Sequence, residues 1–305
     1  MLIYWLLSNA DFVAIGTMLS RMGATPLILA IAAQITGFFF GALRWWLLLR
    51  HTSAHARFSE VVPSYYLGLF FNNLLPTGVG GDVVRTLHLT RRGLSIKALA
   101  ASMIVDRGIG LLAMLMAASS CAVLLPQAGL DAHARGSALL LLAACLGGIV
   151  LAMSPLAGTV LTWLKKRYHK TKVRHGILES ALMCYSYRSN PGLLLLAALL
   201  SVIGQSFVIL VYVALGFGIG LELPLATYFV IIPIVFVVAM LPISLGGLGV
   251  REGTLVGLLI AFGAERQLTI GLSLLYLFVL WVSTLPGAAV LLMRVPSASK
   301  DIHKP

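Results

Sequence analysis

The sequence predicts an all-α integral membrane protein: a polytopic helical bundle of two inverted repeats with two re-entrant broken helices. Composition, the length of the apolar runs and a duplicated glycine–arginine segment carry that prediction. Of 305 residues, 59% are hydrophobic and 10% charged, with mean hydropathy +0.98. A soluble domain carries roughly a quarter of its residues as charges. The apolar residues fall instead in runs of about 17–25, the length a helix needs to cross ~30 Å of hydrocarbon. Short alternating segments, the mark of a membrane β-barrel, are absent, and helices satisfy their own backbone in lipid.

The elements follow in order. Residues 1–8 are apolar but too short to span. Residues 9–23 place Phe12, Ile15, Met18, Leu19 and Met22 on one helical face, which fits an interfacial amphipathic helix; residues 2–19 also fit one poor spanning helix carrying Asp11, and both readings stay open. Residues 27–49 span and end in Arg44, Trp45, Trp46 and Arg50, an aromatic and basic membrane boundary. After the loop HTSAHAR (51–57), the apolar residues 61–76 are interrupted by Pro63, Asn72, Asn73 and Pro76. TGVGG and a short helix ending in Arg91 and Arg92 come next. Residues 97–125 span, 138–163 return, and LKKRYHKTKVRH (164–175) is the most basic stretch. Residues 192–217 span, 225–241 are apolar and proline-interrupted, PISLGG precedes a helix over 249–262, and 269–293 span last.

The expected organisation is a single transmembrane domain over 1–305. Repeat 1 occupies 27–125, a connecting helix and basic cytoplasmic loop 138–190, repeat 2 192–293, and a basic tail 294–305. All 22 Lys and Arg except Arg21, Arg135, Arg251 and Arg266 fall on or near one side if 51–57, 164–175 and the tail are cytoplasmic, as the positive-inside rule describes. The expectation is a multi-pass bacterial inner-membrane protein with a cytoplasmic C-terminus. The net charge of +12 therefore reads as topology and anionic-lipid contact, not nucleic-acid binding. Cys121, Cys145 and Cys184 show no metal or redox spacing, and the histidines, His88 among them, form no ligand cluster; no cofactor or metal is expected.

LPTGVGGDVVR (75–85) and LPISLGGLGVR (241–251) are identical at six of eleven positions, offset by 166. By the topology, 61–92 begins and ends at the cytoplasmic side and 225–262 at the outer side. Two re-entrant hairpins therefore open from opposite faces, with the span 138–163 supplying the inversion. Inverted repeats with broken helices meeting near the midplane are transporter architecture.

At each turn a helix is expected right after Gly80–Gly81 and Gly246–Gly247, its free N–H groups and positive dipole end facing an anion. The glycines would admit a headgroup to the backbone. Arg85 and Arg251 lie four residues past the second glycine, where a guanidinium can fork onto phosphate, and Asn72 and Asn73 can add neutral hydrogen bonds. Plainer readings stand beside these. Asp82 and Arg85 also fit an i,i+3 pair, Arg251 and Glu252 an interior pair, and the glycines close helix contact. Charges at bilayer depth cost about 2.5–3.5 kcal/mol on insertion scales and usually mark a pathway. Asp106 and Arg107, without counterparts in repeat 2 (Leu272, Ser273), are either substrate contacts or partners of the re-entrant arm.

The strings NNLLPTGVGGDVVR, VDRGIGLL and LPISLGGLGVREG closely resemble the membrane domain of lysylphosphatidylglycerol synthase/flippase proteins and its stand-alone relatives, from about Arg44 to the last helix. In two-domain members that part flips aminoacylated phosphatidylglycerol outward while a cytosolic domain makes it. No synthase domain lies within these 305 residues, so lipid aminoacylation is not expected. By the resemblance Asn72, Pro76, Gly80, Gly81, Asp82, Arg85, Asp106 and Arg107 fall on the first family motif and its partner, and Gly246, Gly247, Gly249, Arg251 and Glu252 on the second; these without Gly249, together with Asn73, are the expected substrate contacts. The family usually opens with a full spanning helix before a stretch like ADFVAIGTML; here eight residues precede Asn9 and Ala10, which leaves open a truncated start. The expected function is a flippase moving an anionic phospholipid or a polyprenyl- or hopanoid-type lipid-linked substrate. A membrane enzyme with Asp82 or Asp106 as base, or an accessory subunit serving a lipid-biosynthesis enzyme, is the alternative. The oligomeric state stays open.

Overall fold

The apolar runs fold as helices whose ends carry the polar signals. The computed structural model describes residues 16–17, 20, 22–75, 80–125, 131–155, 158–160, 163, 172–240 and 249–292, and among the described residues there is no strand. The chain runs α1 (Ala24–Thr52), α2 (Phe58–Leu74), α3 (Gly80–Thr90), α4 (Ile96–Leu124), α5 (Ala132–Met153), α6 (Lys172–Ser186), α7 (Pro191–Gly218), α8 (Leu225–Met240), α9 (Val250–Ala261) and α10 (Arg266–Leu292). Of these, α1, α4, α5, α7 and α10 are long and apolar enough to cross a membrane. Caps fix several starts: Asp131 accepts from the Ala134 N–H at 2.7 Å, and Asn190 from the Leu193 N–H at 3.1 Å with Pro191 opening α7. Both N-caps satisfy a donor that the helix itself leaves orphaned.

Two elements depart from the sequence reading. Helix α5 ends at Met153, ahead of Ser154 and Pro155, because proline disfavours helical geometry in the residue before it. Residues 172–186, expected within the basic loop and linker, form α6, which lies on α4. Glu179 pairs with Lys97 at the α4 start, and the Cys184 thiol donates to the Ala101 carbonyl at 3.6 Å. Burial pushes that thiol above the usual cysteine range. The two readings of residues 1–23 lie mostly outside the described residues, as do 76–79, 126–130, 164–171, 241–248 and 293–305.

Helices α1 and α7 form the central pair and run antiparallel. Met22 and Pro26 meet Gly218, Gly37 meets Gly204, Arg44 meets Ser201, and Leu48 packs with Ala197. A Cβ on Gly37 would sit 3.0 Å from the Gly204 carbonyl oxygen, and one on Gly204 3.3 Å from that of Gly37. Small residues permit such backbone approach, which is where dispersion drives association in lipid. Phe40 and Phe207 stack beside it at 5.8 Å.

Helices α2 and α3 form an antiparallel hairpin stitched from base to tip. Glu60 pairs with Arg92 at 3.7 Å, Ser64 bonds His88 at 2.6 Å, Gly68 lies against Arg85, and Asn72 accepts from the Gly81 N–H at 2.8 Å. Near its tip α2 leans on α10, where Asn73 donates to Thr284 at 3.0 Å.

The packing pairs recur between halves. Contacts α1–α2, α2–α3, α3–α4, α1–α4, α1–α10 and α2–α10 correspond to α7–α8, α8–α9, α9–α10, α7–α10, α7–α4 and α8–α4. Each half also closes its own apolar core. Trp45, Leu49, Val61, Leu89 and Leu99 join the ends of α1 to α4, and Tyr212, Ile231, Leu255, Leu272 and Val279 join α7 to α10.

Candidate functional site

Asp106 and Arg107 are consecutive on α4, so their side chains leave the helix about 100° apart. Asp106, buried, faces α1 and accepts from Arg44 Nε at 2.6 Å. Arg44 in turn donates through Nη1 to Ser201 Oγ of α7 at 2.7 Å, and it has room because Gly110 places no side chain there. Gln205 of α7 donates to the Gly110 carbonyl at 2.9 Å. The buried Asp106 carboxylate is thereby tied to both α1 and α7.

Arg107 faces the other way, toward α3, and grips Asp82 Oδ2 through Nε at 2.9 Å and through Nη2. Asp82 Oδ1 holds Arg85 Nη2 at 2.8 Å. One carboxylate therefore stands between two guanidinium groups. Arg85 is 5% exposed, with its guanidinium carbon 4.2 Å from the Trp45 ring centre and 5.4 Å from that of Tyr65. Cation–π contact in a desolvated place contributes about 2 kcal/mol. Trp45 is itself fixed by an Nε1 hydrogen bond to Ser102 Oγ at 3.2 Å. Among the described residues, this cluster joins three arginines (Arg44, Arg85, Arg107) to two aspartates (Asp82, Asp106).

Of the two readings of the first motif's glycines, close helix contact is the one Gly81 fits. A Cβ on Gly81 would overlap the Gly68 carbonyl oxygen and lie 2.6 Å from Asn72 Oδ1. The close approach that Gly81 permits is that of α2. Gly80 and Gly81 are themselves the first residues of α3. The Gly81 N–H, expected to be free for an anion, is taken by Asn72, and Asn73 is bonded to Thr284. Both asparagines hold the hairpin tip in place.

The second motif is built otherwise. Helix α9 begins at Val250, not directly after Gly246–Gly247, and its N-cap Gly249 sits at φ +84°, a left-handed conformation that glycine adopts without penalty. Arg251 is thus in the first turn, whereas Arg85 is in the second. Glu252, 2% exposed, accepts from Arg251 Nε at 2.9 Å and, with its other oxygen, from the Gly249 N–H at 2.5 Å. The Arg251 guanidinium carbon lies 5.0 Å from the Tyr276 ring centre, and Tyr276 stacks on Tyr212 at 4.2 Å. In both halves an arginine rests on aromatic rings, one ion pair away from a carboxylate of its own helix.

The structure brings together Asp82, Arg85, Asp106 and Arg107, with Gly80, Gly81 and Asn72 supporting them; Arg251 and Glu252 form a separate pair. Pro76, Gly246 and Gly247 lie outside the described residues. Arg44, Ser201, Trp45, Tyr65, Tyr212 and Tyr276 were not expected in either site. Arg44 beside Trp45 was the available signal, but the same residues also describe a membrane boundary. A family model described as Lysylphosphatidylglycerol synthase TM region matches residues 1–287. Among curated proteins, none matches the chain.

Proposed function

This chain belongs to the lysylphosphatidylglycerol synthase TM-region family, a multi-pass membrane domain, and from that premise we propose that it is a lipid flippase. It moves an anionic phospholipid, or a polyprenyl- or hopanoid-type lipid-linked substrate, across the bacterial inner membrane without chemical conversion. The observation that carries the reading is the cationic excess, among the described residues, of the Arg44–Asp106 pair and the Arg85–Asp82–Arg107 clamp, largely buried at Arg44 and Arg85 and open at Arg107. A guanidinium kept at membrane depth is costly and characteristically lines a substrate path, and arginine forks match phosphate oxygens.

An inverted-repeat architecture supports transport. The antiparallel α1–α7 pair and the matching contact pairs fit a two-fold axis lying in the membrane plane. On that reading α2–α3 enters from the cytoplasmic face, α8–α9 enters from the outer face, and the C-terminus is cytoplasmic. The headgroup engages the arginine cluster while its tails stay in lipid, and alternating tilts of the halves expose the site to each leaflet. Anionic membrane lipids are then the partner. A base role for Asp82 or Asp106 is disfavoured, because each neutralises an arginine that proton abstraction would leave as an unbalanced buried charge.

The test is reconstitution with a fluorescent anionic lipid and measurement of leaflet exchange. Exchange faster than in empty vesicles, and slowed by Arg85→Gln, is expected. Movement no faster than in empty vesicles would overturn the reading.

A further inference from the structure

We infer that Asp82 is a displaceable internal counter-ion: a phosphate oxyanion takes its place between Arg85 and Arg107, and the carboxylate returns when the phosphate leaves. The inference rests on the transport reading for the identity of the anion, a phosphodiester headgroup, but not for the exchange itself.

Four observations lead to it. The two Asp82 oxygens are divided between two arginines, Oδ1 to Arg85 at 2.8 Å and Oδ2 to Arg107 at 2.9 Å. Two non-bridging oxygens of a phosphate present the same acceptor pair to the same guanidinium forks. Accessibility differs sharply across the clamp: the Arg107 side chain is 45% exposed and that of Arg85 6%. Exchange can therefore begin at Arg107, while Arg85 stays seated on Trp45 as the fixed half. Third, Arg85 Nε is buried and has no hydrogen-bond partner among the described residues. Leaving such a donor unmet is expensive, and a phosphodiester carries ester oxygens besides its two non-bridging ones, where a carboxylate has two oxygens in all. Finally, with Arg44 paired to Asp106, removing Asp82 would take from Arg85 and Arg107 the carboxylate they share, and a replacing anion restores that charge balance.

The second repeat shows why exchange is confined to the first. Glu252 also pairs with an arginine, but its other oxygen caps its own helix at the Gly249 N–H. Displacing Glu252 would uncap α9 as well as unpair Arg251, so that carboxylate is fixed. Asp82 spends its second oxygen on Arg107, from another helix and half in the open. The two duplicated arginines thus have unequal roles: Arg85 binds the anion, and Arg251 is locked in the framework.

The experiment measures binding of water-soluble dihexanoyl phosphatidylglycerol, and separately inorganic phosphate, to the purified full chain in zwitterionic detergent. Asp82→Asn removes the competing charge at constant size and is expected to bind the short-chain lipid about tenfold tighter or more. Arg107→Gln on that background should abolish the gain. Lipid bound more tightly than inorganic phosphate identifies a headgroup as the displacing anion; equal affinities retain the displacement and assign it to free phosphate. A folded Asp82→Asn protein whose affinity is unchanged or weaker overturns the inference. Should that variant not fold, infrared spectra of the unsubstituted protein with 13C-labelled Asp carboxyls decide. The carboxylate stretch must shift on saturation with the short-chain lipid, and an unchanged band overturns displacement. Transport failing is a separate outcome, since tight binding without leaflet exchange removes the flippase reading and leaves the counter-ion exchange standing.

Discussion

Replacing Gly81 by alanine adds one methyl group at the point where α2 and α3 touch. That Cβ would overlap the Gly68 carbonyl oxygen and lie 2.6 Å from Asn72 Oδ1, about 0.8 Å inside ordinary van der Waals contact at 3.4 Å. Neither neighbour yields easily. One is backbone, and the other is the side chain that accepts from the Gly81 N–H at 2.8 Å. Overpacking of this kind costs about 1–3 kcal/mol, and loss of the Asn72 bond about 0.5–1.5 kcal/mol more. Together they give a destabilisation of about 1.5–4.5 kcal/mol. Reversible denaturant unfolding in mixed micelles would measure it, with Gly108→Ala on α4 as a control whose new Cβ meets nothing within 4 Å. The reciprocal change, Gly68→Ala, meets the Gly81 carbonyl oxygen at 2.9 Å. Because either alanine spreads the same hairpin, the double variant should cost less than the two singles added, a coupling that a double-mutant cycle reads directly. Gly81→Ala within about 0.5 kcal/mol of the parent, the range of a neutral surface change, would refute the hairpin contact as drawn.

Other consequences are as specific. Arg44→Gln strands the buried Asp106 carboxylate and releases Ser201, so a loss of about 3–5 kcal/mol is expected in the same unfolding assay. Ser201→Ala, which removes one hydrogen bond and leaves that ion pair, should cost only about 0.5–1.5 kcal/mol. Glu252→Ala unpairs Arg251 and uncaps α9 together and is expected to cost at least about 3 kcal/mol, while leaving short-chain lipid affinity within twofold in protein that remains folded. Thr284→Val deletes the acceptor of Asn73; about 1 kcal/mol of stability should go, with slower leaflet exchange because the hairpin tip loses its hold on α10.

The spans were legible because hydropathy and length alone decide what can cross a bilayer, and α1, α4, α7 and α10 lie within a few residues of their expected limits. Helix α6 was not, since Lys172–Ser186 is neither apolar enough to span nor regular enough to declare a face. Its position comes from packing on α4, as the Lys97–Glu179 pair shows. The arginines at 85 and 251 were visible through duplication, yet duplication concealed how far their settings diverge. Asp82 has no acidic counterpart at Leu248, and Glu252 corresponds to Thr86, whose hydroxyl instead bonds the Asp82 carbonyl at 2.7 Å. Arg44 was read as a membrane anchor because its partners, Asp106 and Ser201, are 62 and 157 residues away. Glycine spacing fitted both a headgroup at the backbone and a close helix contact without choosing between them; at Gly81 it is α2 that lies close.

The decisive measurement is the sidedness of four single cysteines, placed at His55, Ser95, Glu222 and Glu265 in a background with Cys121, Cys145 and Cys184 replaced by serine. All four positions are exposed, and each pair flanks one hairpin. Opposed re-entrant hairpins predict that an impermeant thiol reagent reaches positions 55 and 95 from the cytoplasmic face and 222 and 265 from the outer face. Labelling of all four from one face, or of 55 and 95 from opposite faces, would contradict it.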